Sequence, residues 1–96
     1  MITLAELRNR RSEIEAIAKR HGVILVRVFG SVARGHQTGS SDLDLLVTMD
    51  EGRTLIDLIG FEEDAEQALG LPIDVVTDRS LRNAYQQEVL SDAVAL

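Results

Sequence analysis

The sequence predicts an α/β domain in which a small mixed β-sheet is flanked by helices. Three short runs rich in β-branched and apolar residues, typical of strands, lie at 23–29, 43–48 and 73–77. Segments that favour helix precede, separate and follow these runs, an alternation typical of α/β folds. With a length of 96 residues, we expect residues 1–96 to form one domain.

The first helix is expected between residues 3 and 21. Thr3 and Glu6 fit a capping box, in which a hydroxyl accepts an early amide N–H and a glutamate returns the bond. Gly22 is a natural stop after the helix. The run at 23–29 is interrupted by one arginine only, so we expect a strand covered on both faces. The apolar residues at helical spacing are Leu4, Leu7, Ile14, Ile17 and Ala18.

The second half predicts a helix over 53–69 and another near the C-terminus. The side chains expected to point inward from the former are Leu55, Leu58, Ile59, Ala65 and Leu69, and those expected to point outward are Glu62, Glu63 and Glu66. Ser80 is expected to cap the last helix. The inward side of that helix is expected to carry Leu81, Ala84, Tyr85 and Val89. Residues 35–41 predict a loop, and residues 93–96 a short terminal extension.

Composition excludes several classes of protein. The chain has no cysteine, which excludes a disulfide framework and a thiolate zinc site. The longest purely apolar run, 23–26, is far too short to cross a bilayer. The N-terminus lacks the charged and apolar regions of a secretory signal. We therefore expect a cytoplasmic protein that makes no membrane contact.

The formal net charge of −6 is unevenly distributed. Residues 1–41 carry seven basic and three acidic side chains, a net charge of +4, whereas residues 42–96 carry three basic and thirteen acidic ones, a net charge of −10. Proteins that bind long nucleic acids usually carry a basic surplus, because phosphate contacts supply much of their affinity. The balance therefore disfavours direct binding of long nucleic acid, while a single nucleotide, held by a few arginines or a metal ion, stays open.

A Gly30-Ser31 pair directly follows the first predicted strand. Glycine lets the backbone approach a ligand closely, and free amides at the start of a helix suit an anion such as phosphate. Taken alone, a strand followed by Gly-Ser is more often an ordinary turn.

Three aspartates are candidate metal ligands. Asp42 and Asp44 lie two positions apart, so in a strand they project from the same face. Like charges this close repel unless a cation lies between them, and Mg²⁺ is often held by one or two carboxylates together with substrate phosphates. A solvated strand face is the alternative for an isolated Asp-x-Asp. Asp74 is, taken singly, better explained as structural, but with the other two it completes a site able to hold two metal ions about 4 Å apart.

These residues form one spaced pattern: Gly30-Ser31, ten intervening residues, then Asp42-x-Asp44. At usages of about 5–7% per residue type, the pattern arises by chance on the order of once in a thousand chains of this length. It resembles the signature of the DNA polymerase β-like nucleotidyltransferase superfamily. Residues 29–35 (FGSVARG) and 41–47 (SDLDLLV) resemble more closely the minimal nucleotidyltransferase (MNT) family, the antitoxins of HEPN-domain ribonuclease toxins. Residues 73–77 and 89–94 also fit that family.

The resemblance implies a polymerase β-like fold and Mg²⁺-dependent transfer of AMP from ATP. Asp42 and Asp44 would bind two Mg²⁺ ions that hold the triphosphate. Asp74 would help to hold the catalytic metal and would activate the attacking hydroxyl. Gly30 and Ser31 would hold the β- and γ-phosphates. The implied acceptor is a tyrosine hydroxyl of a cognate HEPN toxin, with which the chain would form a hetero-oligomer.

Arg34 is a further candidate phosphate contact, with an ordinary surface charge as its alternative, and His36 is better explained as an exposed loop residue. A binding-only antitoxin, whose acidic surface covers the toxin, stays open, as does a nucleotidyltransferase of small molecules. A glycosyltransferase Asp-x-Asp site is disfavoured by the short length and by the Gly-Ser turn. The spacing of the aspartates favours the enzyme over the binding-only antitoxin.

Overall fold

The computed structural model describes residues 2–36, 42–81 and 83–96, the last range with side chains from residue 86 onward. Most of the predicted loop at 35–41 lies outside these residues. In the described chain the helices are α1 (Leu4–Asn9), α2 (Arg11–Arg20), α3 (Gly30–Arg34), α4 (Leu55–Leu69) and α5 (Asn83–Asp92). The strands are β1 (Val23–Phe29), β2 (Leu43–Met49), β3 (Ile73–Thr77) and β4 (Val94–Ala95). Within the described ranges, no helix is long and apolar enough to span a membrane.

The strands form one mixed sheet in the order β3-β2-β1-β4. β1 runs antiparallel to both β2 and β4, whereas β2 and β3 are parallel. Parallel neighbours need a crossover connection, and α4 supplies it between β2 and β3. The architecture confirms the predicted α/β class, with a small mixed sheet flanked by helices.

Two apolar clusters lie on the two faces of the sheet. Successive strand residues point to opposite faces, and Leu45 belongs to the larger cluster while Leu46 belongs to the smaller one. The smaller cluster joins Leu46 to Phe29 and to Val89 of α5. Helices α1, α2 and α4 contribute to the larger cluster Leu7, Ile14, Ile17, Ala18, Phe61 and Ala65. The candidate site lies on the side of the smaller cluster, as shown below.

The prediction of one helix over residues 3–21 is wrong, because the helix is broken at Arg10. The backbone of Arg10 is non-helical, with φ −106° and ψ 17°. Its guanidinium donates to the Ala68 carbonyl oxygen at 2.6 Å, a contact that holds the break against the end of α4. The N-terminal cap is where the sequence predicted it, since Thr3 Oγ1 accepts the Glu6 amide at 3.1 Å.

Strand β1 differs from the prediction at its start and gains a partner at its end. Ile24 and Leu25 are exposed, because the pairing with β2 is irregular between Val23 and Leu25, so this part of the strand is not covered on both faces. The predicted terminal extension includes β4, whose two residues pair with Arg27 and Val28. A sequence pattern of two residues is too short to indicate a strand.

Helix α4 has a different inward face from the one predicted. Leu55 and Ile59 are 68% and 43% exposed, so their predicted inward orientation is wrong, whereas Phe61 is fully buried. Glu66, predicted to point outward, is half-buried and accepts the Ile73 amide at 2.9 Å, which fixes the start of β3. Fewer apolar residues of α4 are therefore buried against the sheet than the helical spacing predicts.

Ser80 does not cap the last helix. Residues 78–80 form a 3₁₀ turn after β3, in which the Thr77 hydroxyl accepts the Ser80 amide at 3.2 Å, and α5 begins at Asn83. Val89 of α5 is buried, as predicted, whereas Leu81, although half-buried, lies before the helix and not on its inward side. The predicted orientations of Ala84 and Tyr85 lie outside the described side chains.

Helix α4 packs against the end of α2 through Gly60, which lies beside the His21 ring. The His21 ring nitrogen Nε2 donates to Asp64 Oδ2 at 2.7 Å, and a Cβ at Gly60 would lie 2.8 Å from the imidazole ring. In an unobstructed helix, Gly→Ala stabilises by about 0.5–1 kcal/mol. We expect Gly60→Ala to show this gain in a His21→Ala background but not in the wild type, where the ring must move away from Asp64. Urea unfolding of the four proteins measures the coupling; equal effects in both backgrounds would contradict the packing.

Asp57 makes stability depend on pH. Its carboxylate accepts the Thr54 amide at 2.8 Å, and this hydrogen bond lowers the pKa of Asp57, with a smaller contribution from Arg53. The stabilisation is complete above the ordinary carboxyl pKa and disappears as the pH falls through the lowered value in the folded state. We expect the free energy of unfolding of the wild type to fall more between about pH 5 and pH 2 than that of Asp57→Asn. Parallel curves in urea titrations would contradict this contribution.

Candidate active site

The predicted carboxylates meet on one row of the sheet. Asp44 pairs with Phe29 on β1 and with Asp74 on β3, so the three residues lie side by side across three strands. Residues paired in register project to the same face, and neighbouring strands are about 4.8 Å apart. Asp42 comes two residues before Asp44, just ahead of β2, and is exposed. The structure thus brings Asp44 and Asp74 together, with Asp42 beside them.

Gly30 lies directly against this row. It follows β1 as the first residue of α3 and has φ +73°, a left-handed conformation that favours glycine. A Cβ at this position would lie 2.3 Å from Asp44 Oδ2, so a side chain would collide with the carboxylate. Ser31 follows in α3 and is half-buried, and its carbonyl oxygen accepts the His36 amide at 2.9 Å. Gly30 therefore belongs to the same site as the aspartates, and Ser31 lies next to it in α3.

The electrostatics of the site are dominated by like charge around Asp44. Burial raises the pKa of Asp44, and the neighbouring carboxylates of Asp74 and Asp42 raise it further. Arg34 is the positive group that opposes them and lowers the pKa of Asp44. A cation between the carboxylates would relieve the repulsion, which is the property expected of a divalent metal site.

The donor set fits a metal ion that binds together with phosphate. Within residues 2–36, 42–81 and 83–96, no group of three or more His, Asp or Glu side chains is placed so that it could hold a metal ion by itself, so Asp42, Asp44 and Asp74 do not form a complete ligand set. Mg²⁺ does not require one, because it is usually bound by one or two carboxylates and completes its shell with water and substrate phosphates. Asp44 with Asp42 or Asp74 can supply such a partial shell.

Arg34 reaches the site from α3 but is already paired. Its guanidinium forms an ion pair with the Asp92 carboxylate of α5. The Arg34 side chain is half-exposed, whereas that of Asp92 is only 21% exposed. The ion pair joins α3 to α5 and holds a positive charge near Asp44. Asp92 was not identified from the sequence, because no short spacing links it to Arg34, 58 positions earlier.

Solved structures share this fold. A candidate minimal nucleotidyltransferase is 44% identical, with a TM-score of 0.86 and coverage of 99% of this chain and 97% of its own. A toxin–antitoxin complex with AMP-PNP has a TM-score of 0.73 at 23% identity, covering 88% of this chain and 69% of its own. A Shewanella oneidensis complex of a tri-AMPylated HEPN toxin with MNT antitoxin has a TM-score of 0.68 at 19% identity, covering 92% and 69%. The likeness to these two complexes concerns the fold alone.

Sequence comparison agrees with the fold. Protein adenylyltransferase MntA of Thermococcus cleftensis is 36% identical over 95 residues, which cover 98% of this chain and 96% of MntA. The sequence profile described as nucleotidyltransferase domain matches residues 11–96, a range that contains the Gly-Ser pair and all three aspartates. The chain therefore belongs to the nucleotidyltransferase domain family.

Proposed function

We propose that this nucleotidyltransferase transfers AMP from ATP to a tyrosine hydroxyl of a HEPN-domain toxin and thereby acts as its antitoxin. MntA, a protein adenylyltransferase 36% identical to this chain, supports AMP transfer to a protein. The fold shared with an MNT antitoxin in complex with a tri-AMPylated HEPN toxin supports a HEPN toxin as the acceptor protein and a hetero-oligomeric assembly; the tyrosine follows from the family resemblance. The fold shared with a complex containing AMP-PNP supports ATP as the donor.

The observation that carries the proposal is the pairing of Asp44 with Asp74, with Gly30 packed against Asp44. A solvated strand face would not need a left-handed glycine whose missing side chain leaves room for a carboxylate. Nor would it need two carboxylates paired in register, because directly opposite like charges destabilise a sheet. A site for a metal ion and a triphosphate explains both features.

Asp42, Asp44 and Asp74 would share the binding of Mg²⁺: Asp44 and one of its two neighbours would supply a partial shell, and phosphate oxygens of ATP would complete it. When bound there, the metal would neutralise charge on the triphosphate and on the departing pyrophosphate. Gly30 and Ser31 bind the β- and γ-phosphates through backbone amides and the serine hydroxyl.

The reaction is a displacement at the α-phosphorus of ATP. The acceptor oxygen forms a bond to this phosphorus, while the bond to the oxygen bridging the α- and β-phosphates breaks and pyrophosphate leaves with the electron pair. Asp74, exposed at the edge of the sheet, accepts the proton of the acceptor hydroxyl. Arg34 adds a positive charge beside Asp44, and Asp92 holds the guanidinium in place. Positioning and charge neutralisation supply the catalysis, so no histidine or cysteine is required.

The proposed function is tested with labelled ATP, Mg²⁺ and the proposed HEPN-domain partner. We expect the wild type to label the partner and Asp44→Asn to lose labelling. Glu15→Gln, which removes an exposed carboxylate charge on α2, serves as the control and retains labelling. Without metal, Asp44→Asn raises the melting temperature, because it removes a half-buried charge that Asp74 and Asp42 repel. Neutralisation of the toxin by Asp44→Asn at the wild-type level would favour a binding-only antitoxin.

Alanine substitutions at two glycines distinguish the effect of a side chain in the site from the destabilisation caused by a left-handed backbone. Gly30 and Gly35 have φ of +73° and +74°, but only at Gly30 would a Cβ meet another atom within 4 Å. We expect both alanine variants to lose roughly 1–3 kcal/mol of stability from the backbone conformation. Only Gly30→Ala should also lose the rise in melting temperature caused by ATP with Mg²⁺, because its Cβ displaces Asp44. Gly35→Ala is expected to keep the wild-type thermal shift. If Gly30→Ala kept it as well, the assignment of Gly30 to the ATP site would be contradicted.

A further inference from the structure

The first turns of α4 present an apolar surface to solvent. Leu55, Ile56 and Ile59 are 68%, 80% and 43% exposed. Beside them lies a groove of about 340 Å³ between α4 and the edge strand β3. Its apolar lining includes Leu55, Leu58, Met49, Val75 and Val76. We call the three exposed residues together with this groove the α4–β3 surface.

The fold does not need these three exposed side chains for its core. On α4, Phe61 and Ala65 are buried in the larger cluster, and Leu58 packs against it. Single exposed apolar residues are common, but a contiguous group next to an apolar groove is typical of an interaction site. Within the residues described, no part of this chain covers the α4–β3 surface, so we infer that another molecule binds there.

The charged residues around the surface indicate which kind of occupant would bind there. The groove lining contains two aspartates, Asp50 and Asp78, and two arginines, Arg53 and Arg79, whose formal charges cancel. Glu51 lies before the exposed apolar residues and Glu63 follows Ile59 by one helical turn; both are exposed. Arg53 is also paired with Asp57 at 3.3 Å. The rim of the surface therefore carries an excess of negative charge.

This charge disfavours two possible occupants. A second copy docked on the same surface would bring acidic rim against acidic rim, and like charges at an interface cost several kcal/mol. An anionic lipid surface would be repelled for the same reason. A protein with an apolar centre and a basic rim satisfies both the apolar groove and the charge around it.

We propose that the α4–β3 surface is the docking site for the protein that this enzyme modifies, and that the partner contacts it with an apolar patch rimmed by Lys or Arg. The inference rests on the proposed function, because it takes the acceptor to be a protein. Strand β3 links the surface to the chemistry: Val76 lines the groove and lies two residues after Asp74, roughly 7 Å along the strand. A partner held on this surface would have its own residues within reach of the active-site row.

The test compares two exposed isoleucines in the complex with the proposed HEPN-domain partner. Ile56→Glu places a charge at the centre of the proposed surface. Ile24→Glu is the matched control, since Ile24 is 63% exposed and lines a different groove, near β4. We expect Ile56→Glu to weaken binding at least tenfold, measured by calorimetry, and to leave the thermal shift caused by ATP with Mg²⁺ unchanged. Ile24→Glu should bind within about twofold of the wild type.

The salt dependence tests the rim. We expect the affinity of the wild type for the partner to fall as NaCl rises from about 50 to 300 mM. Glu63→Lys should flatten that dependence more than Glu15→Lys, which changes an exposed residue on α2.

Two results would overturn the docking surface: Ile56→Glu binds the partner with wild-type affinity, or Ile24→Glu loses as much affinity as Ile56→Glu. Either result would leave partner labelling, and hence the proposed function, intact. Failure of the wild type to bind or label the partner would overturn both. Dimerisation of the free protein that Ile56→Glu abolishes would assign the surface to a second copy instead.

Discussion

The repulsion around the Asp44 carboxylate is the constraint on which the rest of the site depends. Asp44 is half-buried on a strand, with Asp74 paired opposite it and Asp42 two residues away, and all three effects oppose its ionisation. A fold selected for stability alone would have an apolar or neutral residue here. In the proposed function, a bound cation and a polyanionic substrate would offset this repulsion, so the site would be unfavourable in the free protein and compensated in the loaded one.

Several elements meet at this carboxylate. The end of β1 brings Gly30 close enough to leave no room for a side chain, and α3 carries Arg34 back toward the same charge. The ion pair between Arg34 and Asp92 joins α3 to α5, so the C-terminal helix contributes to the site through Asp92. The parallel register of β2 and β3 is set by the crossover through α4 and by the Glu66 carboxylate at the start of β3. The geometry of the site therefore depends on three strands of the sheet and on helices α3, α4 and α5.

Local sequence patterns predicted those parts of the fold that depend on local interactions. The strand at 73–77 and the helix ending at Leu69 lie where β-branched runs and helical spacing place them. The break at Arg10 depends on a hydrogen bond to the Ala68 carbonyl, 58 positions away, and β4 depends on the free edge of β1. Neither contact leaves a periodic signal in its own segment. The α/β class was predictable, but these two features were not.

The identities of the candidate site residues were predictable from spacing, but their geometry was not. The interval between Gly30-Ser31 and Asp42-x-Asp44 marks the pattern, and family membership supports it. The pairing of Asp44 with Asp74 depends on the register of two strands separated by a helix of 15 residues. A one-residue shift of β3 would turn Asp74 to the opposite face, and nothing in its own short strand excludes that shift.

Helix α4 combines two unusual properties of the second half of the chain, exposed apolar residues and a high density of acidic ones. The helix has more apolar residues than the sheet can cover, and its surroundings are strongly acidic. An apolar patch alone would promote self-association, whereas acidic side chains alone would leave no specific contact. On the proposed docking surface, the acidic side chains would disfavour the pairing of two copies and would leave the apolar patch available to an oppositely charged partner. The net charge of −6, which argues against the binding of long nucleic acid, would then contribute to the choice of a protein partner.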